Sequence, residues 1–545
     1  MTVFAAVVLG ALKLWLVAPF TLQAVGHANH DDELFVRLAE FIRAGQWLGP
    51  YDQFTLAKGP MYSIGLALTG GLGWPLLTAQ HVFYLLACFV MVWALRPLVT
   101  GSVWRVVLLV ALMFNPATLD QEIHSRVLRQ NILPALCFLL LAWLIAWHAR
   151  RDQPLARLWP WSAVAAVALP AFWLTREEGV WFLPALAAPG AFVAWRIMRS
   201  AAPRRGLRLA IFLLPLAGAI VGILIVATLN QHHYGVRTTC EFKEPHFKDA
   251  FGALLRLKSD SDIPYTPVTR EMRARLYELS PSFARLEPYF EGPAGTAWAH
   301  VCSFVTGRPA EEREIVIGWT MWALRRAVVE YGPVTSGAEA AEYYRQIAEE
   351  INAAADAGLI AAGPRRSGFL PPLGPQHLPP WLDSFADAAR FLVTFDTLGV
   401  VPTYSVGSEE ELRRFAALTQ ETLSPTRADA PPPTTRPFGL RGQIAAHIIK
   451  AYAFVGPWFS SAAVLAWLIA LFRSGWRRHL SFETCLATGL LGSIAAMLAI
   501  VALINVTSFP SLNSGYFTAC YNVLILFVFV AAAALRGTFT TRRSV

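Results

Sequence analysis

Apolar residues fall in long blocks along this chain, with short charged turns between them. The blocks cover residues 3–25, 76–95, 106–118, 132–147, 161–175, 180–195, 209–229, 454–472, 485–504 and 517–535. A run of about 18 apolar residues crosses a bilayer core of roughly 30 Å as a helix. Several blocks reach that length and some fall short of it. A transmembrane barrel would instead alternate polar and apolar positions. The pattern predicts an all-α polytopic membrane protein with about ten transmembrane helices.

Two stretches depart from this rhythm. Between residues 26 and 75 the chain turns amphipathic: in LFVRLAEFIRAGQWLG, residues Leu34, Leu38, Phe41 and Ile42 share one helical face, and Arg37 and Glu40 lie off it. This reads as a helix at the membrane interface, followed by a Gly-rich apolar segment, PMYSIGLALTGGLGW, that dips into it. Residues 230–450 are charged and punctuated by Gly and Pro, and are long enough to bury a core of their own. Helices are predicted there over 310–330, over 338–355 after the capping box Ser336-x-x-Glu339, and over 409–423 after Ser408-x-x-Glu411. The Pro-rich runs SGFLPPLGPQHLPPW and SPTRADAPPPTTRPFG read as stiff connections. The expected layout is a transmembrane module over 1–229, a large, mainly helical domain over 230–450 inserted before the last three spans, and C-terminal helices with a tail over 451–545.

Charge orients the spans. With the N-terminus in the cytoplasm, every second loop should be basic. Those loops hold Arg96 and Arg105; Arg150, Arg151 and Arg157; Arg196, Arg199, Arg204, Arg205 and Arg208; and Arg473, Arg477 and Arg478. The tail adds Arg536, Arg542 and Arg543. The opposite short loops are acidic, with Asp31–Glu33, Asp120 and Glu122, and Glu177 and Glu178. Both termini are therefore expected in the cytoplasm, with the acidic loops and the inserted domain extracytoplasmic, in a membrane such as the bacterial inner (plasma) membrane. The net charge of +9 is explained by this alternation, so no nucleic-acid partner is implied. The composition agrees: 15% of residues are charged, against about 25% in soluble domains. The first apolar block lacks a basic start and reads as a retained span rather than a cleaved signal. Lys13 within it reads as a snorkelling or bundle-facing lysine.

Of six cysteines, Cys88, Cys137, Cys485 and Cys520 lie in apolar blocks, while Cys240 and Cys302 lie in the polar domain and are candidates for a disulfide. There is no CxxC or HExxH, and the adjacent His232 and His233 cannot easily face one ion.

The candidate chemistry lies in the outer loops. The first opens HANHDDELF and closes AKGP; the others read DQEIHSRVLRQ and TREEGVW. Carboxylates and cations converging on one membrane face suit a reaction that takes a proton from an acceptor and neutralises an anionic leaving group. Arg126 and Arg129 are candidates for bidentate phosphate contact. Glu122, Arg176, Glu177 and Glu178, with Asp120, are candidates for sugar binding; a divalent cation, Mg or Mn, held by these carboxylates stays open. His30, beside the acids, is either a surface histidine or a group that tunes their protonation.

These residues resemble the GT-C superfamily of integral-membrane glycosyltransferases, and most of all the branch with protein O-mannosyltransferases and the lipid A aminoarabinose transferase. That branch has an acidic pair in its first outer loop, an aromatic four positions after the first acid, an amphipathic juxtamembrane helix, and then Lys-Pro-Pro or similar. Here these correspond to Asp31-Asp32, Phe35, the helix through Ile42, and Lys58-Gly59-Pro60. The second acid is Asp32 where the family usually has Glu, and Gly59 stands where it usually has Pro. The resemblance implies Asp31 as catalytic base, with Asp32 completing the pair, and Lys58 on the phosphate of a lipid-linked sugar donor. It implies an inverting transfer of a hexose or pentose from polyprenyl phosphate to a hydroxyl of a glycan, lipid or protein. A transporter or lipid flippase would instead concentrate polar groups at mid-membrane. A non-catalytic assembly factor would leave the charged loops without a role.

Overall fold

The computed structural model describes residues 2–540 apart from Asn29, Thr100, Ala201, Ala202, Asp260, Asp262, 430–437, Arg477 and Arg478. Arg477, Arg478, Arg542, Arg543 and the middle of the second Pro-rich connection therefore lie outside the described residues.

Among the described residues seven helices are long and apolar enough to cross a membrane: Leu76–Leu95, Arg129–Arg150, Gly179–Arg199, Leu214–Tyr234, Gly439–Trp476, Phe482–Thr507 and Ser514–Gly537. Three shorter apolar helices, Thr2–Val17, Ser102–Met113 and Trp159–Thr175, accompany them. All ten lie on the apolar blocks of the sequence. They share one core, centred on Arg129–Arg150, whose apolar stretch is 78% buried, against 17% for the peripheral Gly439–Trp476. Lys13 faces the bundle interior and donates to Thr118 Oγ1 at 2.8 Å. Among the described residues there is no sheet, only isolated bridges such as Leu22–Leu423, Gln23–Arg126 and Val25–Val406.

Those bridges mark the first departure from the sequence pattern. The block over 3–25 is a helix only to Val17. Pro19 follows; it has no N–H to donate and its ring disfavours a continuing helix. Residues 22–25 pair with segments a hundred or more positions away, so Leu22 and Ala24 are buried by protein. The second departure is Leu378–Thr394, inside the inserted region. Prolines in its first turn favour a helix start. Ala388 and Leu392, with Phe395 just beyond its end, then pack into the transmembrane core. Likewise Gly439–Trp476 begins well before residue 454, because Arg441, His447 and Lys450 lower the local hydropathy without breaking the helix. The helix expected over 310–330 starts at Ile317, since Arg313 adopts φ 56° and ends a short turn before it.

The rest of the insert has its own core of Phe247, Phe251, Leu276, Phe283, Leu324 and Tyr344. Both capping serines accept the N–H three residues on, at Glu339 and Glu411. All six cysteines are unpaired, Cys240 and Cys302 included, and Cys302 is packed in the insert core.

A third cluster joins insert and loop. Leu34, Phe35 and Leu38 of helix Asp32–Arg43 pack with Tyr62 and Leu66 of Met61–Gly71, with Phe415 and Leu418 of Glu409–Thr419, and with Trp322. The apolar face read as interfacial is thus largely covered by protein. Arg325, 1% exposed, ties the same parts together: it donates to Glu241 at 2.6 Å and to the carbonyls of Gln53 and Asp52 at 2.5 and 3.3 Å, and also to that of Thr55.

Candidate active site

Asp31 stands at the N-cap of helix Asp32–Arg43, yet its side chain caps nothing. It meets Lys58 instead, with Nζ 2.5 Å from Oδ1. The lysine side chain is 7% exposed and the aspartate side chain 44%, so the cation is sunk in protein and the carboxylate stays open to a ligand. Burial pushes Asp31 upward, but the Lys58 ammonium together with Arg129 and Arg126 outweighs it and holds the carboxyl below its ordinary range. Burial lowers Lys58, and Asp31 only partly restores it. The rings of Phe35 and Trp322 face the ammonium at 5.2 and 5.4 Å.

The neighbouring acid is different. Asp32 is fully buried and sits in the fork of Arg126, with contacts of 2.5 Å (Nη2) and 3.3 Å (Nε), and it also accepts the Val127 N–H at 3.3 Å. Burial raises it to about 6 against the pull of Arg126. It is ionised at neutral pH and inaccessible, which suits a group that fixes the loop. Arg126 is thereby committed to a carboxylate.

The third outer loop closes the other side. Glu177 pairs with Arg129 and accepts the Gly59 N–H at 2.9 Å, so it holds both the second-loop arginine and the residue after Lys58. Arg129 also donates to the Thr175 carbonyl at 3.1 Å. Arg176 pairs with Glu178 at 3.1 Å and lies 5.3 Å from the centre of the Tyr516 ring. Burial disfavours a charged Glu178, but Arg176 and Arg129 prevail and bring it down to about 2. Its side chain is 45% exposed, a second open carboxylate near Asp31.

Four carboxylates thus face four cations: Asp31 with Lys58, Asp32 with Arg126, Glu177 with Arg129 and Glu178 with Arg176. Asp120 does not join them; it caps the short helix Gln121–His124 and accepts the Gly399 N–H at 3.0 Å. Glu122 is exposed, within electrostatic reach of Arg126. Among the described residues no group of three or more His, Cys, Asp or Glu side chains is placed to hold a metal, and Asp31, Asp32, Glu177 and Glu178 each already face a cation.

Three aromatic contributors were not legible as site residues. Trp298 and Trp322 come from the insert and flank His30, with ring centroids at 5.2 and 4.5 Å. Burial and Lys58 depress His30 to about 3, so it is neutral beside the acids. Tyr516 opens the last helix, where an aromatic reads only as part of an interfacial belt.

No protein-family model matches the chain, and no curated protein matches it. Two solved structures are similar to it. One is ArnT from Cupriavidus metallidurans in the apo state, with 14% identity and a TM-score of 0.33, over 96% of this chain and 77% of that one. The other is ArnT from the same organism bound to undecaprenyl phosphate, with 13% identity and a TM-score of 0.33, over 99% of this chain and 78% of that one.

Proposed function

We propose that this chain is a membrane glycosyltransferase that moves a sugar from a polyprenyl-phosphate donor to an acceptor hydroxyl. The observation that carries the reading is the pairing of an open carboxylate, Asp31, with a buried ammonium, Lys58, at 2.5 Å. A donor phosphate competes with Asp31 for Lys58. As Lys58 turns to the phosphate, Asp31 loses the charge that suppressed its basicity. The freed carboxylate takes the proton of the acceptor hydroxyl. The acceptor oxygen bonds to the anomeric carbon while the bond from that carbon to the phosphate oxygen breaks, through an oxocarbenium-like state. The polyprenyl phosphate leaves with one more negative charge, which Lys58 meets in low dielectric. A single displacement inverts the anomeric centre and needs only this one base.

The other residues hold this pair. Asp32 with Arg126 fixes the start of the loop helix, and Glu177 with Arg129 fixes Gly59. Glu178, Arg176 and Tyr516 are the groups we assign to the sugar. The arginine-rich helix ends opposite the site support a cytoplasmic location for that side and an extracytoplasmic one for Asp31.

The test is incubation of the purified protein in nanodiscs with a panel of polyprenyl-phosphate hexoses and pentoses. We expect wild type to consume at least one donor and release polyprenyl phosphate, and Asp31→Asn to bind it without turnover. Neither binding nor turnover with any donor overturns the reading.

A further inference from the structure

At the end of the bundle opposite Asp31, a cavity of about 590 Å³ is lined by Arg96, Arg105, Arg150 and Arg157, with Trp93 and Trp161. Helix Leu76–Leu95 links the two ends: Leu77 at its start donates to Glu421 on the site side, and Arg96 caps its far end. The cations come from separate elements. Arg105 lies in the first turn and a half of Ser102–Met113, Arg150 ends Leu133–Arg150, and Arg157 sits just before Trp159–Thr175.

The tendency of basic loops to stay on one side accounts for the sign of these residues. It does not account for their convergence. Arg150 is 9% exposed and spends its donors on the carbonyls of Ala94 and Trp93, at 2.8 and 2.7 Å, with its guanidinium 5.0 Å from the Trp161 ring centre. Among the described residues Arg96, Arg105, Arg150 and Arg157 have no carboxylate partner; the nearby Asp152 pairs with Arg151 at 3.6 Å. Arg105 Nε is buried and makes no hydrogen bond. A buried donor without an acceptor costs roughly 1–3 kcal/mol, more for a charged group. Four like charges around one hollow repel as well. Both penalties are relieved by an anion with several acceptor oxygens.

The surroundings specify which anion. Trp93, Trp104 and Trp159 are 43%, 52% and 53% exposed around the same helix ends. Exposed tryptophans at that level mark the interface between lipid and water. A phosphate there belongs to a lipid headgroup, and basic pockets between transmembrane helices suit such headgroups. We propose that this cavity is a binding site for the phosphate of an anionic phospholipid in the leaflet opposite the catalytic loop.

The experiment is native mass spectrometry of the full-length protein, delipidated in mild detergent and titrated with phosphatidylglycerol, cardiolipin, phosphatidylcholine or inorganic phosphate. Wild type should retain the anionic lipids over phosphatidylcholine. Arg96→Gln/Arg157→Gln alters two exposed side chains and should lose about twenty-five-fold in anionic-lipid affinity, at about fivefold for each arginine. Arg157→Gln alone gives the smaller step should the double variant fail to fold. Arg413→Gln, with a side chain 73% exposed in another part of the chain, should match wild type. Equal retention of anionic and zwitterionic lipid, or unchanged retention by the variants, overturns the proposal. Saturation by inorganic phosphate at millimolar concentration without a preference for lipid overturns the assignment to a headgroup.

Discussion

Replacing Asp32 by Asn should change how stability depends on pH, in a direction the site geometry dictates. Asp32 is buried against Arg126 and lifted from the ordinary 3.8 to about 6, first by burial and then by the charge of Asp31, with Arg126 offsetting part of the rise. Between those two values the folded chain holds a proton at this position that the unfolded chain releases. The corresponding stabilisation is fully present below 3.8 and is lost as pH rises through 6. The gap amounts to about 3 kcal/mol. Asn does not titrate, and other carboxylates contribute equally to both proteins, so the difference between wild type and Asp32→Asn isolates this group. Denaturant unfolding in mild detergent, followed by tryptophan fluorescence from pH 4 to 7.5, should show wild type gaining most of this, about 2 kcal/mol, relative to the variant on going to pH 4. Donor turnover by wild type should also weaken below about 6, as a protonated Asp32 loosens its grip on Arg126 while Asp31 remains ionised. A stability difference that is flat with pH, or that shrinks on acidification, refutes the reasoning.

Asp31→Asn should lower donor turnover by about 10²–10⁴-fold with donor binding retained, measured as release of polyprenyl phosphate against equilibrium binding. Lys58 is depressed by burial, so donor affinity should fall on the alkaline side before an ordinary lysine near 10.5 would lose its proton; a pH series of KM reads this directly. Gly59→Ala should cost ~1–3 kcal/mol and misplace Lys58, because a Cβ there lies 2.1 Å from the Leu174 carbonyl oxygen, a backbone atom that cannot rotate away. Gly59→Pro should do worse, since it also removes the N–H that Glu177 accepts; a denaturant midpoint for each variant checks both.

Local patterns carried much of this into the sequence. The apolar blocks exposed the spans, and the capping pairs at Ser336 and Ser408 fixed two helix starts, because both signals depend on neighbours a turn apart. The Asp31–Lys58 loop was legible for the same reason, since its parts lie within about thirty residues of one another. What hydropathy could not separate was burial by lipid from burial by protein: Leu22 and Ala24 look like the end of a span and are covered by the insert and loops. Tyr516, Trp298 and Trp322 were invisible because distant folding alone brings them to the acids. The departure at Gly59 also acquires a reason: its N–H is in use, and the space beside its Cα is filled.

Arg325 makes the insert and the Asp31–Lys58 loop one mechanical part. It grips the carbonyls of Asp52, Gln53 and Thr55, three to six residues before Lys58, and Glu241 braces it while accepting from Tyr51 at 2.7 Å. Loss of this strut, as in Arg325→Met, should cost about 3–5 kcal/mol, seen as a lowered denaturant midpoint. Excising the insert would take away the support of the segment that leads to Lys58, so the two parts cannot be cut apart along that boundary. Chimaeras that exchange the insert must carry residues 51–58 and the Arg325 helix as a single cassette. A molecule that leans on the insert has a rigid lever only a few residues long to Lys58.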